Sequence, residues 1–206
     1  GHTGHFLALT GASINATDAI YTGLADRFIV GERKSDVLDS LLQQEWGSTA
    51  AGNHALVRHV LRPFAEESQG QVPDAQVEPH LGIINTLCDG DDVHEIIDNI
   101  VAQQSGDPWL SKASASLAHG SPLASLWISR QLREMRHASL KECFQGEILL
   151  VTNIVRHPEF AEGVRVLLID KDRNPSWQYR ASRDVPPAVL DAFFSAPWDK
   201  NPLADL

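Results

Sequence analysis

Signals for the start and the end of helices alternate along this chain, and they constrain its fold more than any other feature. Asn15 and Ser139 each stand three residues before an acidic residue, which is the pattern of a helix capping box. Gly23 follows one of the short apolar segments and predicts a helix end in the left-handed conformation. Residues 24–30 are the one strong strand candidate. The sequence therefore predicts a mainly α fold with a short β remnant near residues 24–30.

Proline, glycine and polar residues divide the predicted helices into four parts. We expect an N-terminal segment at 1–31, a helical segment at 32–61 and a C-terminal helical domain at 80–206. Between them, residues 62–79 lose apolar periodicity and hold several prolines, which predicts a linker or loop. Because proline disrupts a helix interior, the helix that begins near residue 50 is predicted to end before Pro63.

The longest predicted helix covers about residues 139–156. Its apolar residues recur at helical spacing and predict one continuous stripe: Leu140, Cys143, Phe144, Ile148, Val151 and Val155. Glu147 lies within this stripe. Since a desolvated carboxylate needs a partner, we expect Glu147 to be buried and held by a hydrogen bond or an ion pair.

The charge balance limits the partners of the chain. It contains 17 Lys and Arg against 27 Asp and Glu, a formal net charge of −10, which disfavours nucleic acid as a general partner. Local basic spots at 130–136, Arg165 and 171–173 could still hold a phosphate. No run approaches the roughly 18 apolar residues that span a membrane. The two cysteines, Cys88 and Cys143, suit reduced packing residues of a cytoplasmic protein.

Residue spacing reveals no metal site and no catalytic constellation. Nine histidines are present, but neither His2 with His5 nor His54 with His59 gives the converging spacing that zinc requires. The acidic stretch 89–92 lacks the ligand pattern of a calcium loop. We therefore expect no metal and no catalytic residue in this chain.

Three segments resemble one enzyme superfamily. The sequence GHFLALTG at 4–11, followed by NATDAIYTGLAD at 15–26, is similar to a stretch that closes the core of crotonases, the enoyl-CoA hydratase superfamily. The segment 157–177, with EGVRVLLIDKD before a Pro-Ser-Trp, looks like the 3-hydroxyisobutyryl-CoA hydrolase subgroup, and Ser121 to Ala124 match the start of a family helix. The whole chain thus resembles the helical C-terminal part of a crotonase-like fold.

This resemblance implies an acyl-CoA substrate, with coenzyme A as part of the substrate and no separate cofactor. The family stabilises the thioester oxyanion with backbone N–H groups and uses a carboxylate, on segments that precede the residues matched here. The chain is therefore expected to be a non-catalytic portion of an acyl-CoA thioester hydrolase of valine catabolism. It would cover the coenzyme A site, support subunit contacts and pack on an N-terminal crotonase core. Gly1 is not a natural first residue, which fits this expectation. The resemblance also leaves open whether the enzyme forms a homo-oligomer.

The resemblance also implies a role for two basic residues near the end of the chain. A family lysine near the end of the terminal helix helps to hold the phosphates of coenzyme A, and Lys171 and Arg173 match its position approximately.

Two other functions are compatible with the sequence. One alternative to the hydrolase is the C-terminal part of an enoyl-CoA hydratase or isomerase. Another is a free-standing helical interaction module. Because its core partner would be absent, a severed fragment should self-associate through an apolar face at 4–30.

Overall fold

The computed structural model describes all 206 residues, which form helices joined by irregular segments. In chain order the α-helices are α1 Thr3–Thr10, α2 Ala16–Tyr21, α3 Lys34–Leu42, α4 Ala50–Ser68, α5 Val77–Leu87, α6 Val93–Ala102, α7 Pro108–His119, α8 Pro122–Glu134, α9 Leu140–Ile154, α10 Pro158–Val164 and α11 Pro187–Phe193. Helix α10 continues directly into a π-helical turn at Arg165–Ile169. The mainly α architecture is as predicted.

The predicted helix boundaries rest on local chemistry, and the structure confirms them where caps are present. Asn15 and Ser139 each form a reciprocal capping box, with Asp18 and Glu142 respectively. Gly23 adopts a φ of +77°, which an L side chain rarely adopts, and so allows the left-handed turn after α2. Such caps satisfy the N–H and C=O groups that a helix leaves unpaired at its ends.

The strand predicted at residues 24–30 is absent, which corrects that part of the predicted fold. Leu24 and Ala25 donate their N–H groups back to the carbonyl of Ala19, and Val30 donates its N–H to the hydroxyl of Ser68. A strand exists only when a second strand pairs with it, and no other segment of the chain is extended into one. The segment at 24–30 is therefore irregular and does not form a strand.

The linker predicted at 62–79 is largely helical. Helix α4 runs through Pro63 to Ser68, a 3-10 turn follows at Gln69–Gln71, and α5 begins at Val77. Pro63 cannot donate a hydrogen bond to the carbonyl of His59, but both residues lie on the exposed face of α4, where water can reach that carbonyl. The proline is therefore tolerated inside the helix.

The chain divides into two compact units whose boundaries differ from the predicted division. The smaller unit comprises residues 13–81 and the larger unit residues 1–12 and 82–206. In the smaller unit, the buried carboxylate of Asp18 accepts the N–H groups of Gln76 at 2.7 Å and Val77 at 2.8 Å. Asp18 thus ties the start of α5 to α2.

The larger unit has two hydrophobic clusters. The first brings together α1, α6 and α7 with the end of α5 and consists of Phe6, Leu9, Ile84, Cys88, Ile96, Ile100, Leu110, Ala113 and Leu117. The second joins α8, α9 and α11 and consists of Leu123, Leu126, Leu150, Val185 and Phe193. Cys88 is a packing residue, and its burial raises the pKa of the thiol to about 11. None of the helices combines the length and the apolar character needed to cross a membrane.

Candidate functional site

A cavity of about 360 Å³ lies in the larger unit among α8, the end of α9, α10 with its π-helical turn, and α11. Its lining is predominantly apolar and consists of Ser121, Leu123, Ala124, Trp127, Ile154, His157, Glu159, Phe160, Gly163, Val164, Leu167, Leu168, Trp177 and Phe193. An apolar cavity of this size with a few polar groups at its edge is typical of a site for a small organic ligand.

The start of α8 and the start of α10 supply the polar edge of this cavity. Ser121 caps α8 by accepting the N–H of Ala124 at 3.0 Å, and its own hydroxyl donates to one carboxylate oxygen of Glu159. The other oxygen of Glu159 accepts the N–H of Gln178 at 2.9 Å. Both oxygens of this carboxylate are therefore occupied, and its arrangement is that of a structural tie between α8, α10 and the terminal segment.

Trp177 closes another side of the cavity. Its indole N–H donates to the carbonyl of His119 at 2.9 Å, at the C-terminal end of α7. Its ring lies over Gly163, where an added Cβ would meet the indole at 3.8 Å. These contacts give Trp177 a packing role between α7 and α10.

Arg165 holds the segment that follows α10 in a compact turn. Its guanidinium forms a bidentate pair with Glu162, at 2.8 Å for each contact, and reaches Asp170 at 2.6 Å and Asp172 at 2.8 Å. It also donates to the carbonyl of Asn174 at 3.2 Å. A planar guanidinium suits such multiple acceptors better than an ammonium does. Arg165 was one of the basic spots predicted for phosphate, but its donors are used within the chain.

The guanidinium of Arg165 lowers the pKa values of two carboxylates that it contacts, Glu162 and Asp172. The hydrogen bonds from Arg165, followed by the N–H of Ser176, lower the pKa of Glu162 to about 2. The hydrogen bond from Arg165, followed by the N–H of Asn174, also lowers the pKa of Asp172. Both groups therefore stay ionised at neutral pH and hold the turn through charge-assisted hydrogen bonds.

Lys171 and Arg173, the two residues predicted to contact coenzyme A, lie on this turn on either side of Asp172. Both adopt positive φ values, +56° and +54°, and both are exposed. A left-handed backbone costs an L residue about 1–2 kcal/mol. Neither side chain forms an ion pair, while the carbonyl of Arg173 contacts His119 Nε2 at 2.8 Å. The structure places both cations on one turn; their contact with coenzyme A stays a prediction.

The apolar stripe predicted on α9 is mostly exposed. Leu140, Phe144, Val151 and Val155 have exposed side chains, and so do Phe160 and the π-helical residues Leu167, Leu168 and Ile169. The opposite side of α9 packs on the second cluster through Leu150 and Ile154. Glu147 is exposed and makes no hydrogen bond or ion pair, so the expectation of a buried, paired carboxylate is wrong for this chain. The periodicity did identify an apolar face, but could not show which face the unit buries.

Sequence reasoning missed the roles of Glu159 and Glu162 in shaping the site. The only local signal was the spacing of Glu162 and Arg165, three residues apart on one helix face. The contact between Glu159 and Ser121 joins residues 38 positions apart, which no local pattern shows.

Comparisons with known proteins give a consistent result. Residues 1–194 match a protein-family model described as enoyl-CoA hydratase/isomerase. The chain is 30% identical over 196 residues to 3-hydroxyisobutyryl-CoA hydrolase-like protein 5 of Arabidopsis thaliana, covering 93% of this chain and 47% of that protein. It is 28% identical to the mitochondrial 3-hydroxyisobutyryl-CoA hydrolase of Homo sapiens, covering 95% of this chain and 49% of the relative.

Solved structures agree with these relatives. A carnitinyl-CoA dehydratase from Mycobacterium thermoresistibile superimposes with a TM-score of 0.75 at 25% identity, covering 96% of this chain and 52% of that structure. An enoyl-CoA hydratase from Rhodobacter sphaeroides shares the fold with a TM-score of 0.72. The chain spans about half the length of the curated relatives it matches.

Proposed function

The chain belongs to the enoyl-CoA hydratase/isomerase family, and from that premise we propose that it is the helical C-terminal half of an acyl-CoA thioester hydrolase. Its curated relatives are named 3-hydroxyisobutyryl-CoA hydrolases, which supports a hydrolase of that type acting on a short branched acyl group in valine breakdown. In this proposal the chain holds the coenzyme A portion of the substrate, and the half of the fold that it does not span supplies the reacting groups.

The turn from residue 170 to residue 174 is the observation that carries the proposal. Arg165 fixes this turn, and the turn presents Lys171 and Arg173 without any acidic partner. Two unpaired cations on one turn are suited to the phosphates of coenzyme A. The apolar cavity bordered by Trp177 and Leu168 lies beside the same segment and offers a surface for the less polar portion of the ligand.

We also propose that the chain has no thioester hydrolase activity of its own. The hydroxyl of Ser121 and the N–H of Gln178 occupy Glu159, and Arg165 with the N–H of Ser176 occupies Glu162. Neither carboxylate is free to act as a general base or a nucleophile, because both of its oxygens already accept hydrogen bonds. The chain can be incubated with an acyl-CoA and a reagent that detects the free thiol of coenzyme A. We expect coenzyme A to be released no faster than in the uncatalysed reaction. Release at rates typical of an enzyme would contradict this part of the proposal.

Calorimetric titration with coenzyme A tests the binding role. We expect saturable binding that weakens with added salt and falls about tenfold or more in Lys171→Gln/Arg173→Gln, because two charge-assisted contacts are lost. Lys112→Gln/Arg180→Gln is the matched control, since it removes the same charge from exposed residues away from the turn and the cavity. Equal affinity in both double variants, or no binding by the unmodified chain, would refute the proposal.

A hydratase or dehydratase activity is the second candidate for the parent enzyme. The carnitinyl-CoA dehydratase that shares the fold at 25% identity favours a hydratase or dehydratase parent as the second candidate. Both candidates need coenzyme A at the turn, so they differ only in the acyl chemistry. Comparing hydrolysis of a 3-hydroxyacyl-CoA with hydration of an enoyl-CoA, using the complete enzyme, separates them.

A further inference from the structure

A second pocket, of about 440 Å³, lies in the larger unit between α1, the turn that precedes α6, and the C-terminal half of α8. Unlike the apolar cavity, it is rich in polar groups. Its polar side chains are those of His2, His5, Asp91, Ser129, Arg133 and Arg136. The apolar cavity shares none of these residues, so the two sites are separate.

The two arginines of this pocket have no acidic partner. Arg130, one turn earlier on α8, is paired with Glu134 and with Asp191, both at 2.7 Å. Arg133 and Arg136 form no ion pair, although the chain carries ten more acidic than basic side chains, 27 against 17. Unpaired guanidiniums that share a pocket form a positive site within an acidic molecule.

His5 and Ser129 add a hydrogen-bonding pair at a fixed position. Its Nε2 lies 2.9 Å from the hydroxyl of Ser129, which joins α1 to α8 inside the pocket. Burial, then the charges of His2 and Arg133, lower the pKa of His5. The field at this imidazole is therefore positive, and a bound anion would oppose it. Asp91 is the only carboxylate in the pocket, and Cys88, with its raised pKa, adds no negative charge.

We propose that this pocket binds a phosphate group, with Arg133 and Arg136 as the charged ligands. The hydrogen-bonded pair of His5 and Ser129 supplies the one donor that it does not use internally. Guanidinium groups bind phosphate oxygens in a bidentate manner, and a dianion matches two of them in charge. This site is independent of the turn that carries Lys171 and Arg173.

NMR titration of the 206-residue chain with inorganic phosphate, at constant ionic strength set by chloride, tests the proposal. We expect a saturable shift of the His5 ring resonances and a rise of the His5 pKa, since the anion offsets the charge of Arg133. Arg133→Gln/Arg136→Gln should weaken phosphate binding about tenfold or more, and because both residues are exposed, circular dichroism should stay unchanged. Lys112→Gln/Arg180→Gln is the matched control and should bind phosphate as the unmodified chain does, since it removes the same charge from exposed residues that do not line the pocket.

Comparing inorganic phosphate with phenyl phosphate identifies the source of the group. Tighter binding of the monoester indicates a phosphate carried by a larger ligand, and tighter or equal binding of inorganic phosphate indicates the free ion. The absence of a saturable shift, an equal shift with chloride alone, or unchanged affinity in Arg133→Gln/Arg136→Gln would overturn the proposal.

Discussion

Arg165 is the residue on which the shape of the turn at residues 170–174 depends. Its guanidinium is shared among Glu162, Asp170, Asp172 and the carbonyl of Asn174, and it fixes a turn in which two residues have left-handed backbones. Such strained backbone persists only where surrounding contacts determine it, and these positions cluster at functional sites. The backbone that carries Lys171 and Arg173 is therefore held in place by other charged groups.

Acid should weaken this turn through Glu162. Its pKa of about 2 lies below the usual 4.5, so its contribution to stability is complete above pH about 4.5 and is lost as the pH falls toward 2. In Glu162→Gln that part of the pH dependence should disappear. Urea unfolding between pH 2 and 6 measures the difference. Glu147→Gln, which removes an exposed carboxylate without partners, should run parallel to the unmodified chain; a parallel Glu162→Gln curve would contradict the assignment.

At the scale of the element, α9 is apolar on two sides. Leu150 and Ile154 face the second hydrophobic cluster, and the stripe through Phe144 and Val151 faces outward. Apolar residues on two sides of a helix usually have packing partners on both sides. The outward stripe therefore has the composition of a contact surface.

Two adjacent residues of α9 test the distinction between its buried side and its exposed side. Leu150 is 4% exposed and Val151 is 53% exposed. Leu150→Ala should lower the free energy of unfolding by about 2–5 kcal/mol, because it leaves a cavity in the cluster. Val151→Ala should change it by no more than about 0.5 kcal/mol. Chemical denaturation of both variants gives the comparison, and similar losses would show that the stripe is buried after all.

At the scale of the whole molecule, exposed apolar side chains lie only partly where the sequence suggested. Within the face expected at residues 4–30, Phe6 and Leu9 are buried, while Ile20, Tyr21 and Leu24 are exposed. A larger group of exposed apolar residues lies on α9 and on the π-helical turn, where Leu167 and Leu168 are 65% and 69% exposed. Large exposed apolar patches mark contact sites.

This surface should make the isolated chain self-associate. Analytical ultracentrifugation should show the mean mass rising with concentration, and Phe144→Ser/Leu168→Ser should reduce that rise by removing apolar contact area. Leu24→Ser/Leu42→Ser is the matched control, since both leucines are 72% exposed but lie in the smaller unit. A chain that stays monomeric at all concentrations, or an equal effect of both double variants, would count against this surface.

The part of the molecule that could be predicted from the sequence is the part that local interactions determine. The capping residues Asn15 and Ser139 lie within three positions of their partners, so the helices that they start could be read directly. Whether residues 24–30 form a strand depends on a pairing segment elsewhere in the chain, which local patterns do not show. Whether α4 can continue through Pro63 depends on which face of the helix is exposed, which is a property of the folded unit. The grouping of Lys171 with Arg173 was predicted from a resemblance, while the role of Arg165 in fixing them required the three-dimensional contacts.

Two of the five tryptophans, Trp127 and Trp177, line the apolar cavity. An indole changes its emission when the polarity around it changes, so any molecule that enters the cavity should alter the intrinsic fluorescence of the protein. Replacing Trp46, Trp109 and Trp198 with phenylalanine would leave only the two indoles at the cavity. The chain would then report its own occupancy without an attached label, which would allow unlabelled acyl chains to be ranked by optical titration.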